Sequence, residues 1–402
     1  MLALPVVAGA QSPPSAASLF PLRTQWSVTI DAGLGGRPVF DGAVAYVPLG
    51  GDRLAAYDLI RGDQRWNIPH EPPSAMVAGE GALFLVTRST LAALDADEGR
   101  TLWERPLEAP LTAPPVVLSG WLIVVEEGAI RAVRAEDGTL VWTERLDGTS
   151  VHPASLDGLR AYVALDDNRI VALRIQNGSR VWERRLGGPP QPVLARGDRV
   201  YVGSADNYFY CLRATDGEVL WRWRTGADLV GLAAHDDQRI YVAAMDNILR
   251  ALDAGSGSQR WKAALPIRPT SGPVRADETL LVSGLAGTVL GFHAKDGKAA
   301  GDFDAGGLLA VPPHVVTTAD WPAPLVVTVT RSIASGTKMT AVTRDFEPPV
   351  RPLAPLPNPA PMERLPGEPA PAPSTGEGAG APAPDGAGAE APPTHGASPE
   401  AR

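Results

Sequence analysis

The stretch ALDADEGRTLW, Ala93 to Trp103, sets a glycine, Gly99, six residues after a small residue and a tryptophan four residues after that. The same frame returns in AYDLIRGDQRW, AVRAEDGTLVW, ALRIQNGSRVW, CLRATDGEVLW and ALDAGSGSQRW, which end at Trp66, Trp142, Trp182, Trp221 and Trp261. A motif met six times in one chain describes an architecture rather than a site.

Counting back twenty positions from each tryptophan, nineteen from Trp103, gives Tyr46, Phe84, Leu122, Tyr162, Tyr201 and Tyr241, and Leu281 in a seventh copy, each followed by an aliphatic residue. These read as strand centres. Six residues further on, five after Phe84, stand Asp52, Ser89, Gly128, Asn168, Asn207, Asn247 and Gly287. All but Ser89 are types that tolerate the positive φ of a tight hairpin. Gly62, Gly99, Gly138, Gly178, Gly217, Gly257 and Gly297 then mark a second turn in phase, ahead of the tryptophan strand. A further apolar piece precedes each unit, as in RPVF or APPVVL. Four antiparallel strands per repeat make a propeller blade, so the chain reads as all-β.

Trp26, Trp66, Trp103, Trp142, Trp182, Trp221 and Trp261 are spaced 37 to 40 residues apart, with Gly301 at the next phase. Trp26 has no small residue or glycine ahead of it, and Ala341 in MTAVTRDFEPP has no glycine or tryptophan in phase behind it. Each end holds the half that the other lacks. The count is therefore eight blades, the last closed by the N-terminal strand around Trp26 pairing with the C-terminal strand around Ala341, so that no open sheet edge remains. In this reading the glycine turns the chain so that the outer strand carries its tryptophan back over the small residue on the neighbouring strand, giving seven wedges between blades, and truncating such a wedge costs roughly 3–5 kcal/mol.

These residues resemble the pyrroloquinoline-quinone-type propeller repeat, whose pattern is Ala-x-Asp-x-x-Thr-Gly-x-x-x-Trp, the tryptophan-docking motif. The resemblance covers about residues 24 to 346 and implies a fold like that of quinoprotein alcohol dehydrogenases. The Thr slot holds Arg61, Glu98, Asp137, Asn177, Asp216, Ser256 and Asp296. The Asp slot keeps Asp58, Asp95 and Asp253 but turns to Arg134, Arg174 and Arg213 in three consecutive blades. The family divides into quinone-and-calcium dehydrogenases and non-enzymatic scaffolds. The compact ring, and a single cysteine where a vicinal pair would be needed, make the chain most similar to scaffolds of the BamB type, which assist outer-membrane β-barrel assembly. A quinone-dependent oxidoreductase-like protein and a ligand-sensing propeller stand as alternatives.

Composition narrows the partners. A net charge of −9 argues against a nucleic-acid partner, which requires a basic patch. Cys211 alone permits neither an internal disulfide nor a cysteine-rich metal site, and the six histidines are scattered without paired spacing. No catalytic motif stands in a credible context, so no catalytic residue, cofactor or metal is assigned. The apolar opening ending in Ala8-Gly9-Ala10 reads as the end of a truncated signal peptide. That gives a leader and linker over 1–23 and a periplasmic or secreted protein without a lipidation cysteine. The propeller is expected over 24–347, and the Pro/Ala/Gly-rich segment 348–402 reads as a disordered tail. No apolar segment is long enough to span a membrane, and the expected state is a monomer.

The expected activity is that of a protein-binding scaffold of the bacterial envelope, with the β-barrel assembly machinery as its partner. The candidate partner surface comprises Asp166, Asp167, Asp206 and Asp246 at one set of hairpin tips and Arg134, Arg174 and Arg213 near the opposite strand ends. Trp321, outside the repeat phase, is expected to matter less than the docking tryptophans.

Overall fold

The computed structural model describes residues 19–318, 323–332 and 336–345. Most of the leader, the segment 348–402 and Trp321 lie outside the described residues.

Strands of five to six residues with apolar centres alternate with glycine or asparagine turns, and they pair in order. Seven four-stranded antiparallel sheets result: blade 1 over 39–69, blade 2 over 75–106, blade 3 over 111–145, blade 4 over 155–185, blade 5 over 190–224, blade 6 over 234–264 and blade 7 over 274–304. Blade 8 combines Leu308–Leu309, His314–Val316, Leu325–Ser332 and Gly336–Arg344 with the N-terminal strand Leu22–Ile30. That strand pairs antiparallel with Gly336–Arg344 and sets Trp26 opposite Ala341. The chain is thus an eight-bladed propeller closed at the two strands that share one motif.

Within a blade the middle strands are buried and the outermost alternates between exposed and half-buried positions. Tyr46, Phe84, Leu122, Tyr162, Tyr201, Tyr241 and Leu281 are all nearly inaccessible. Between strands two and three, Asp52, Asn168, Asn207 and Asn247 take positive φ, as do Gly128 and Gly287. In blade 2 it is Arg88, one residue before Ser89, that adopts positive φ. The poor turn former is therefore passed over, and its neighbour takes the left-handed conformation.

Each tryptophan faces its small residue in register, as Trp103 does Ala93 and Trp182 does Ala172. The glycine on which each indole rests belongs to the next blade, as expected of wedges between blades. Trp103 lies over Gly138, not over the Gly99 of its own copy, and Trp26, Trp66, Trp142, Trp182, Trp221 and Trp261 likewise lie over Gly62, Gly99, Gly178, Gly217, Gly257 and Gly297 of the following blade. A Cβ on Gly217 would stand 2.6 Å from the Trp182 ring, and its φ is +69°. Glycine is required there both for the turn and for the indole's approach. The wedge therefore joins consecutive blades. Trp142 and Trp182 are buried, whereas the other five docking indoles are only partly so.

The interface between blades 7 and 8 differs because blade 7 has Gly301 where a tryptophan would stand, and because the second turn of blade 8 is replaced by the break between the two closing strands. Phe20 fills it, its ring against Gly291 and Gly301, and Leu19 is buried beside Ala276, Leu281 and Val326. The ring accordingly takes in residues ahead of the expected start at 24.

Candidate interaction surfaces and the interblade clasp

The clasp is also polar. Each docking indole donates Nε1–H to a carbonyl in the next blade's turn: Trp26 to Leu59 at 3.0 Å, Trp142 to Ile175 at 2.7 Å, Trp182 to Ala214 at 2.9 Å and Trp221 to Ala254 at 3.2 Å. Trp66, Trp103 and Trp261 do the same to Ala96, Ala135 and Ala294. In blade 5 a second donor reaches the same oxygen, Tyr201 to Ala254 at 3.1 Å. Both lone pairs of that buried carbonyl are thereby used. In blade 6 the Tyr241 hydroxyl gives its single proton to the Asp236 carboxylate instead. The Tyr201 and Tyr241 hydroxyls are pushed up in pKa, chiefly by burial, so they stay protonated as donors.

The turn that receives the indole is itself capped in one of two ways. In blades 1, 2 and 6 the carboxylate at the Asp slot accepts from amides that follow it: Asp58 from Arg61 at 3.1 Å, Asp95 from Glu98 at 2.9 Å and Asp253 from Ser256 at 2.8 Å. In blades 3, 4, 5 and 7 that slot holds Arg134, Arg174, Arg213 or His293. There the residue three places on accepts instead: Asp137 from Thr139 at 2.9 Å, Asn177 from Ser179 at 3.1 Å, Asp216 from Glu218 at 2.9 Å and Asp296 from Lys298 at 3.1 Å. The cap has moved rather than vanished. This exchange was open to reading in the sequence, since in all seven copies an Asp at the first slot goes with a residue other than Asp or Asn at the second, and the reverse.

The arginine run therefore has a partly structural origin. Arg213 is bound to Asp216 at 2.8 Å and Glu218 at 2.6 Å. Arg134 and Arg174 are exposed at their strand ends without an ion pair among the described residues. Beside Arg174 a cleft of about 90 Å³ is walled by Arg160, Gln176, Val181 and Leu159, the last 60% exposed.

The carboxylates stand at the other end of the third strands, so the structure puts them and the arginines on opposite faces. Each is engaged locally. Asp166 accepts from the Thr149 amide at 3.0 Å, Asp167 binds Arg169, Asp206 accepts from the Tyr210 hydroxyl, and Asp246 binds Arg250 at 3.0 Å. Arg250 in turn lies over the Trp223 ring, 5.3 Å from its centroid. The Arg169 and Arg250 guanidiniums hold the Asp167 and Asp246 carboxyls below their usual range. Gly148, Gly187 and Gly226, which the motif did not single out, let the loop leaving the outer strand pack on Asp166, Asp206 and Asp246. These acids clasp loops together.

At the axis the first strands surround a channel with two lobes. One of about 720 Å³ is lined by Thr270, Ser271, Ser283 and Arg331 among others, and one of about 490 Å³ by Pro38, Pro73, Phe40, Met76 and His314 among others. Arg37, Val311 and Pro312 line both. A quinone held on calcium needs converging oxygen ligands, yet among the described residues no Asp or Glu lines either lobe. These walls do not fit that cofactor. Cys211 is buried, and burial pushes its thiol up to about 11. Among the described residues no group of three or more His, Cys, Asp or Glu is placed to hold a metal, and no helix is long and apolar enough to cross a membrane.

A family model described as outer membrane protein assembly factor BamB matches residues 62–194 and 185–302. Relatives of that name include one from Alkalilimnicola ehrlichii, 33% identical over 141 residues, covering 34% of this chain and 37% of the relative. Another, from Yersinia pestis, is 25% identical over 183 residues, covering 39% and 46%. The matched stretches thus span less than half the length of either relative. Among solved structures, BamB from Moraxella catarrhalis superposes with a TM-score of 0.60 at 20% identity, over 82% of this chain and 98% of that one. A europium-containing methanol dehydrogenase does so at 0.62 and 13%, over 80% and 93%. At such identities the structures speak for the shared fold, and the family match extends across six of the seven docking tryptophans. The chain belongs to the family of the outer membrane protein assembly factor BamB.

Proposed function

We propose that the protein is a non-enzymatic, periplasm-facing scaffold that binds a protein partner of the β-barrel assembly machinery. The family match carries the reading. The geometry supports it: seven of the eight blade junctions carry the tryptophan clasp and Phe20 fills the eighth, so side chains on the two faces are held on a rigid frame, the preorganisation a binding surface requires.

The partner surface we assign lies at the strand ends of blades 3 and 4, where Arg134 and Arg174 are exposed and Leu159 stands beside Arg174. The aspartates of the opposite face are internally engaged, and Arg213 is neutralised by two acids. Exposed charges of this kind set association rate and salt dependence. Replacing Arg134 and Arg174 by Glu is expected to slow association with purified β-barrel assembly machinery several-fold at low salt, with the melting temperature unchanged. Wild-type association by the folded variant refutes the assigned surface, and no association by the wild-type chain refutes the scaffold reading.

A further inference from the structure

The first strand of every blade is an edge strand facing the channel, and it would ordinarily present unpaired amide N–H groups there. Prolines remove those donors. Pro38, Pro73, Pro114, Pro153 and Pro312 stand on the wall of the 490 Å³ lobe, and their rings leave an apolar surface. Phe40 and His314 complete it as a stacked pair, centroids 4.5 Å apart and planes within 6°. His314 Nε2 lies 2.8 Å from the Gly42 carbonyl, and burial lowers its pKa, so the ring is neutral and donates that bond.

The other lobe sets hydroxyls and cations into an apolar wall and has no acid among the described residues that line it. Its hydroxyls come from Thr270, Ser271 and Ser283, with Ser271 and Ser283 2.8 Å apart. Arg331 lines it, and Arg37 stands where it meets the apolar lobe. Neither guanidinium has a hydrogen bond or ion pair to another described residue. In a chain of net charge −9 the described residues thus wall the channel with two cations that have no partner among them and with no carboxylate. Both lobes fall within the ~300–1,000 Å³ of small-molecule sites, which pair an apolar body with a few placed polar groups.

We propose that the channel binds an amphiphilic carboxylate, its head group taken by Arg37 and Arg331 and its hydrocarbon chain laid along the proline-lined lobe. Arginine favours carboxylates through charge-assisted, two-pronged hydrogen bonds. The chain gains by leaving water. This activity is separate from partner binding, which is assigned to the ends of blades 3 and 4.

The test is calorimetric titration of the full chain with sodium decanoate, with butyrate and decanol as comparisons. Saturable decanoate binding at a single site is expected. It should weaken at least ~10-fold in R37Q/R331Q, with decanol and butyrate also binding at least ~10-fold more weakly than decanoate, each loss equivalent to about 1.4 kcal/mol. Arg37 and Arg331 are exposed, so the variant should melt with the wild type; R134Q/R174Q should bind decanoate unchanged. Absence of saturable binding, equal affinity in R37Q/R331Q, or butyrate or decanol matching decanoate would overturn the proposal.

Discussion

The interblade clasp makes a prediction that separates it from a wedge closed within one blade. Changing Gly217 to Ala places a Cβ 2.6 Å from the Trp182 ring at a backbone φ of +69°. The left-handed conformation costs about 1–2 kcal/mol for alanine, and the overpacking about 1–3 kcal/mol, giving about 2–5 kcal/mol together. Trp182→Ala alone is expected to cost about 3–5 kcal/mol, since that indole is buried and bonded to the Ala214 carbonyl. With the indole gone, Gly217→Ala retains only its backbone cost. The double-mutant cycle should therefore show a coupling of about 1–3 kcal/mol. Gly178 rests under Trp142 instead, so Gly178→Ala and Trp182→Ala should add to within about 0.5 kcal/mol. Urea unfolding followed by far-ultraviolet circular dichroism, with the denaturant slope held in common, measures both cycles. Coupling between Trp182 and Gly178 together with additivity between Trp182 and Gly217 would refute the assignment.

Three further outcomes follow from the same geometry. Phe20→Ala empties the site over Gly291 and Gly301 and should cost about 3 kcal/mol, while deletion through Thr29 should abolish cooperative melting; an unchanged melting curve for the deletion would sink the closure model. Asp253, held down to about 2 first by its hydrogen bond from Arg260 and then by the Ser256 amide, contributes stability that is complete above the ordinary carboxylate pKa of about 4 and is lost as pH falls through about 2. Melting measured from pH 6 downward should therefore fall less steeply for Asp253→Asn in that window, and identical slopes would count against it. Finally, Asp137→Ala should destabilise blade 3, and adding Arg134→Asp should restore the lost stability by moving the cap to the first slot, whereas a further loss in the double variant would show that the two caps are not exchangeable.

The strand and turn periods, the number of blades and the pairing of Trp26 with Ala341 were all legible in the sequence. Each is set within about forty residues by local rules, where glycine or asparagine makes a turn and an apolar alternation makes a strand. The split half-motifs at the two ends were enough to predict closure, because an open sheet edge is costly. Even the exchange between Asp95 and Asp137 as turn caps is written in the repeat, as a correlation between two slots three residues apart that involves no long-range contact. What the chain order could not reveal is which glycine receives each indole. Trp182 and Gly217 are 35 residues apart, and Gly178 is four away; only the packing of one blade on the next decides in favour of the distant one. The same holds for Phe20 in the gap left by Gly301, for the aspartates spent on neighbouring loops, and for Arg37 and Arg331 at one channel. These pairings join residues from separate blades or opposite ends of the chain, and their geometry is fixed by how eight sheets close on a common axis.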